Sequence, residues 1–212
     1  TFGYRLKLEV SYFDKDSRHG GFMLNKLNLP EDVKIGRLSY GYKALTRINR
    51  VLKHGLCSRF GLGHIVEGHP ASNTRSRNLV VDGYWQNQSY FDSERAKILT
   101  IFRPVEELRS ESIEILKNIK SRNSTSIHVR RGDYLSDASA QKVHGVLDID
   151  YYKRSVELIE KSAPDTVYYI FSDDPAWVKD NFDFLSNYQI VESAGISPIV
   201  DLYLMSNCKN NI

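Results

Sequence analysis

Val167-Tyr168-Tyr169-Ile170-Phe171, followed by Ser172-Asp173-Asp174-Pro175, is the stretch on which the fold turns. A nearly uninterrupted apolar run leaves no polar face, the pattern of a strand buried on both sides in a parallel sheet. Asp174-Pro175 then reads as a helix start. A capping carboxylate is followed by a proline, whose missing N–H is no loss in the first turn. Upstream, Thr125–Val129 reads as a strand, and Asp150 as the cap of a helix carrying Tyr152, Val156 and Ile159, closed by Lys161 and Pro164. Downstream, Tyr188–Val191 reads as a strand, and Ser197-Pro198 opens a helix with Val200, Leu204 and Met205 on its apolar face. Strands and helices alternate throughout, so the expected architecture is α/β, a parallel sheet with crossover helices.

The first part of the chain is less legible. Arg5–Val10 alternates as a strand would, a polar turn covers Asp14–Gly21, and short segments rich in Gly and His follow. Leu79-Val80-Val81 reads as a short strand entering an aromatic loop, Asp82–Phe91. Ser93 is placed as the cap of a helix reaching Phe102, interrupted by Pro104. Val105, Leu108, Ser112, Ile115, Leu116 and Ile119 predict an amphipathic helix to about Lys120. We therefore expect an N-terminal region over residues 1–122 and an α/β unit over residues 123–212. Thr1 falls inside an alternating segment, and Asn211-Ile212 heads towards another element, so the expectation is a fragment truncated at both ends.

The 212 residues include 29 Lys+Arg against 26 Asp+Glu. That balance, with no basic run, excludes a nucleic-acid coating role. No apolar stretch approaches a membrane span. Cys57 and Cys208 suit no disulfide framework and no zinc spacing, and read as reduced, buried thiols of a cytosolic domain. His54, His64 and His69 read as loop residues. The phosphate loop, the dinucleotide fingerprint, the nucleophile elbow and the zincin motif are all absent.

Two strand ends are chemically loaded, and ligands of parallel sheets bind outside the carboxyl ends of the strands. Ile127-His128-Val129-Arg130-Arg131-Gly132-Asp133-Tyr134 puts two guanidiniums and a turn glycine at one exit. Arginine's planar fork suits phosphate oxygens; a surface pair bridged to Asp133 is the competing reading. At the other exit Asp174 is explained as a cap, which leaves Asp173 as the candidate for a ribose or base contact. Asp148-Ile149-Asp150 and Asp14-Lys15-Asp16 match the acidic pattern of metal-dependent sugar transferases, but their positions at a helix start and in a turn account for both.

His128-Val129-Arg130-Arg131-Gly132-Asp133 resembles the H-x-R-R-x-D signature of α-1,2- and α-1,6-fucosyltransferases. Gly83-Tyr84-Trp85-Gln86 with Tyr90-Phe91, Phe171-Ser172-Asp173-Asp174 with Trp177, and Asp201-Leu202-Tyr203-Leu204-Met205-Ser206-Asn207-Cys208 are similar to segments of the α-1,2 branch, glycosyltransferase family 11. The upstream G-G-L-G-N-Q loop and the A-N-S-S-F-S-W-W segment of that family are not in this sequence. The family's His-Asn after Cys-Lys is replaced by Asn210-Asn211.

The resemblance implies a GT-B fold of two Rossmann-like halves. It also implies inverting transfer of L-fucose from GDP-fucose to the 2-hydroxyl of a terminal galactose on a glycan, without an obligatory metal or other cofactor. The first region would be acceptor-side and the second would hold the donor. Arg130 would bind the diphosphate and offset charge as GDP leaves. His128, Asp173 and Asp201 would contact the donor, and Arg131 would orient the loop. Asp137 and His144 are candidates for the base. Tyr84, Trp85 and Gln86 are the acceptor-side candidates, with Phe91 a further aromatic. A cytoplasmic protein with peripheral attachment to the inner membrane is expected of a bacterial source, and a Golgi lumenal one of a eukaryote. The alternatives are a non-catalytic GDP-binding fragment and a fucosyltransferase of α-1,6 or protein O-linked type.

Overall fold

The computed structural model describes residues 5–14, 21–51, 57, 60, 62–68, 76, 78–132, 147–192 and 197–212. The chain divides into two compact units, Thr1–Ile101 and Phe102–Ile212.

The first unit is built from short parallel ladders. β1 (Lys7–Glu9) pairs with β2 (Lys34–Gly36), and α1 (Tyr40–Val51) follows. β3 (Leu62–Val66) pairs with β4 (Asn78–Asp82), in a register that sets Val66 opposite Asp82. Single 3-10 turns at Gln88–Tyr90 and Asp92–Glu94 lead into α2 (Arg95–Ile101). The strand expected over Arg5–Val10 is thus confined to Lys7–Glu9, and Ser93 lies inside a 3-10 turn instead of capping α2. β2 and β3 carry no clean local signal, whereas α1 sets Ala44, Leu45, Ile48 and Val51 at helical spacing. β3, Leu-Gly-His-Ile-Val, reads as loop until its pairing with β4 is seen, and His64 is a buried strand residue, not a loop one. His54 and His69 lie outside the described residues.

In the second unit α3 (Ser110–Ser121) leads into β5 (Ser124–Val129). Then come α4 (Ile149–Ser162), β6 (Val167–Ser172), α5 (Pro175–Asn181), β7 (Tyr188–Val191), α6 (Pro198–Ser206) and β8 (Asn210–Asn211). The four strands form one wholly parallel sheet in the order β7-β6-β5-β8. The division between units falls ahead of α3, not at residues 122–123: Ile119 of α3 packs with Val200 and Leu204 of α6 in the second unit's core. Val105 and Leu108, expected within that helix, precede it.

The strand pattern of 167–171 is borne out in detail. Tyr168 and Ile170 face one core with Tyr152, Val156, Val178 and Phe182, from α4, α5 and its C-cap; Tyr169 and Phe171 face the other with residues of α3 and α6. Helices therefore cover both faces of the sheet. Each hydroxyl in the buried run Ser124-Thr125-Ser126 has a partner, as burial requires: Ile119 O, Thr166 Oγ1 and Asn211 Oδ1 respectively. The cap of α4 is Asp148, whose carboxylate accepts from Tyr151 N–H at 2.8 Å. Asp150, expected there, lies in the first turn, where a carboxylate still favours the helix dipole. Cys57 and Cys208 are buried thiols. Among the described residues no helix is long and apolar enough to cross a membrane.

Candidate functional site

The sheet runs outward from β5 to β7 and then returns past β5 to β8. Such a reversal opens a crevice at the carboxyl ends of the strands on either side of it. β5 exits there into Arg130-Arg131-Gly132. Asp173, at the exit of neighbouring β6, closes on that loop. Its Oδ1 accepts from Arg131 N–H at 2.8 Å and its Oδ2 from Gly132 N–H at 3.2 Å. A Cβ at residue 132 would stand 3.2 Å from Asp173 Oδ2, so glycine permits the close approach.

The next residues brace the same loop. Asp174 accepts from Trp177 N–H at 3.1 Å as the cap of α5, and its carboxylate lies 3.6 Å from Arg131 Nε. The Arg131 guanidinium sits 3.9 Å above the centre of the Trp177 ring. Cation–π contact and ion pairing together fix that side chain to the wall of the site. Tyr152, on the apolar face of α4, packs below against Trp177 and Phe182, and its hydroxyl is held neutral mainly by burial.

His128 keeps a solvent-exposed ring at the same strand end. Crowding by protein atoms, and next the charge of Arg130, hold its pKa below the ordinary value, against the opposing pull of Asp173 and Asp201. The neutral imidazole is therefore the form present at neutral pH. Arg130, Asp173 and Asp201, from the exit of β5, the exit of β6 and the first turn of α6, all lie within electrostatic reach of His128 on β5. The structure thus brings together the residues expected on the donor side. The Arg131 side chain is held by Asp174 and Trp177, and both oxygens of Asp173 are engaged by the backbone of the same loop. Asp137 and His144 lie outside the described residues, as does Asp133. Asp148 is accounted for as a cap, and Asp14 forms an ion pair with Arg37 at 2.9 Å.

A second loop is held in the same manner in the first unit. β4 ends at Asp82, and Gly83-Tyr84-Trp85 turns away with φ of +153° at Gly83 and +52° at Trp85. For an L-residue the left-handed region costs about 1–2 kcal/mol, so something must hold Trp85 there. Glu67, just beyond β3, does so: its Oε2 accepts from Tyr84 N–H at 2.7 Å and from Trp85 N–H at 2.8 Å. A Cβ at residue 83 would meet Glu67 Cβ at 2.4 Å, which makes glycine obligatory. Trp85 packs edge-on against Tyr90, and Tyr90 against Phe91, while Tyr84 is 89% exposed. His64 Nε2 lies 3.4 Å from Asp82 Oδ2 at the same ladder. Sequence reasoning found Tyr84 and Trp85 but missed Glu67, whose sequence neighbours carry no sign of a partner seventeen residues away.

Comparison with known proteins agrees with this geometry. The model of Glycosyl transferase family 11 matches residues 69–212. An alpha-1,2-colitosyltransferase of Escherichia coli is 32% identical over 213 residues, covering 98% of this chain and 72% of that protein. An O-antigen biosynthesis glycosyltransferase of Escherichia coli is 38% identical over 134 residues, 61% of this chain and 44% of that one. A galactoside 2-alpha-L-fucosyltransferase of Caenorhabditis elegans is 31% identical over 138 residues, 61% of this chain and 37% of that one. The chain thus spans under half the length of the latter two relatives. No solved structure matches it. The chain belongs to glycosyltransferase family 11, whose members are transferases of glycan biosynthesis, as the arginine loop at the end of a doubly covered parallel sheet and the matched relatives together require.

Proposed function

We propose that this protein transfers L-fucose from GDP-fucose to the 2-hydroxyl of a terminal galactose, with inversion, as one part of a GT-B enzyme needing no metal. The observation that carries the reading is the arginine loop, braced from both sides at the carboxyl end of β5. Breaking the sugar–phosphate bond puts negative charge on the diphosphate and oxocarbenium character on the fucose. A guanidinium preorganised against the diphosphate acts where charge grows, typically by about 3–4 kcal/mol for one donor. Arg130 has that role, Arg131 and Asp173 hold the loop, and neutral His128 and Asp201 hold the nucleotide. Asp137 and His144 are the candidates for taking the acceptor's proton, a step that adds about 10²–10⁴-fold. Tyr84, Trp85 and Gln86 form the acceptor-side turn.

The alpha-1,2-colitosyltransferase, matched over 98% of this chain, supports a second reading in which colitose replaces fucose as the transferred sugar. Incubation of the intact protein with GDP-fucose or a colitose nucleotide, against a panel of galactosides, separates the two. We expect an α-1,2 linkage from GDP-fucose, seen by NMR of the product, and activity that survives EDTA. Transfer of colitose alone, or loss of activity on chelation, would overturn the corresponding part.

A further inference from the structure

We propose that Glu67 is a positioning residue for the acceptor: it sets the Tyr84-Trp85 turn by backbone capture, not by its charge. The inference rests on the acceptor-side reading of that loop. Oε2 alone takes both amides, at 2.7 and 2.8 Å, and this is where the chain departs from ordinary backbone, with φ +52° at Trp85. Gly83 lets the carboxylate approach, since any Cβ there would collide with Glu67 Cβ at 2.4 Å and lie 2.9 Å from Oε2. Trp85 Nε1 packs at the same point, 3.1 Å from that Cβ position, and among the described residues it is buried with no hydrogen-bond partner. The indole is thus pinned inward against Tyr90, and the Tyr84 ring is turned out to solvent. An outward aromatic face on a fixed turn is a surface for the C–H face of a hexose. Without the carboxylate the turn has two amides to satisfy and no reason to keep a left-handed tryptophan. Glu67 then governs how often Tyr84 is presented, and leaves donor chemistry untouched.

Two conservative variants separate capture from charge. Glu67→Gln loses the charge but keeps an oxygen able to accept from both amides. Glu67→Asp keeps the charge but withdraws it by one carbon–carbon bond, about 1.5 Å. In the intact enzyme we expect Glu67→Gln to stay within about threefold of wild type. Glu67→Asp should raise the galactoside KM about tenfold or more, with the GDP-fucose KM within about twofold, because a misplaced positioning group loses orientation. An inactive Glu67→Gln beside an active Glu67→Asp would overturn the proposal, and so would equal changes in both KM values.

The two tryptophans, Trp85 and Trp177, provide a readout that needs no fucose transfer. In a Trp177→Phe background, acrylamide quenching of Trp85 should rise at least about twofold in Glu67→Asp and stay unchanged in Glu67→Gln. Identical quenching in all three proteins overturns the assignment even if fucose transfer is established. If transfer fails but the quenching pattern holds, the acceptor reading falls and the backbone capture stands.

Discussion

Asp173 and Glu67 perform one local task in two differently built units: each carboxylate, just past a parallel strand, takes two successive backbone N–H groups of the loop leaving the neighbouring strand. Asp173 spends a separate oxygen on each amide, whereas Glu67 uses Oε2 for both. Their foundations differ more. Asp173 rises from β6, inside a four-stranded sheet with a core on either face. Glu67 follows β3, one of a two-stranded pair whose partner strand leaves Val81 57% exposed. A loop on a doubly covered sheet inherits rigidity from the core. A loop on an isolated ladder depends on its own clasp.

The largest expected effect bears on the chemistry of the arginine loop. Arg130→Ala should lower kcat about 10²–10³-fold, the usual cost of one lost charge-stabilising donor, while the unfolding midpoint stays put. Near-normal transfer would remove the arginine from the donor role. The foundations are compared next. Ile170→Ala, at a fully buried position of β6, should cost about 2–5 kcal/mol in urea unfolding. Val81→Ala in β4 should stay within about 0.5 kcal/mol. Equal losses would show that the two ladders are equally dependent on packing.

The clasps themselves give a smaller contrast. Asp173→Asn keeps one acceptor for two amides and should cost activity about 10- to 150-fold, in line with about 1.5–3 kcal/mol for a charged hydrogen bond. Glu67→Gln should remain within about threefold. Similar losses would erase the difference in oxygen use.

The two units also differ in their response to pH. Burial raises the Tyr168 hydroxyl from 10.0 to about 12 and the Cys208 thiol from 9.0 to about 11, and also raises Tyr152 and Tyr169. In each case the folded pKa lies above the unfolded one. The stability held in the neutral forms is therefore complete below pH 9 and lost as pH climbs through 9 to 12. In the first unit burial likewise raises the Cys57 thiol. The urea midpoint of the second unit should accordingly fall with alkali, followed by tyrosinate absorbance. A midpoint that stays flat to pH 12 would contradict the burial of these groups.

Particular residues show why one unit was legible and the other was not. Val167–Phe171 announces itself because burial on both faces demands an unbroken apolar run, and Asp174-Pro175 and Ser197-Pro198 mark helix starts by local rules. The arginine motif was readable for the same reason: its members are adjacent in the chain. His64, by contrast, sits in Leu-Gly-His-Ile-Val, where nothing local distinguishes a strand from a loop. Asp148 and Asp150 compete for the cap of one helix start, and only the bond from Tyr151 N–H selects Asp148.

The sequence by itself determined the parallel α/β unit, the family and the arginine motif at the end of β5, because all of these are written in contiguous patterns. Tertiary structure alone decided that α3 belongs to the second unit and that Asp173 braces the arginine loop. It alone also decided that Glu67 holds Tyr84 and Trp85 from seventeen residues away. The physical reason is the same in each case. A hydrogen bond or a packed face between distant segments depends on where the fold brings them, and no local periodicity records that meeting.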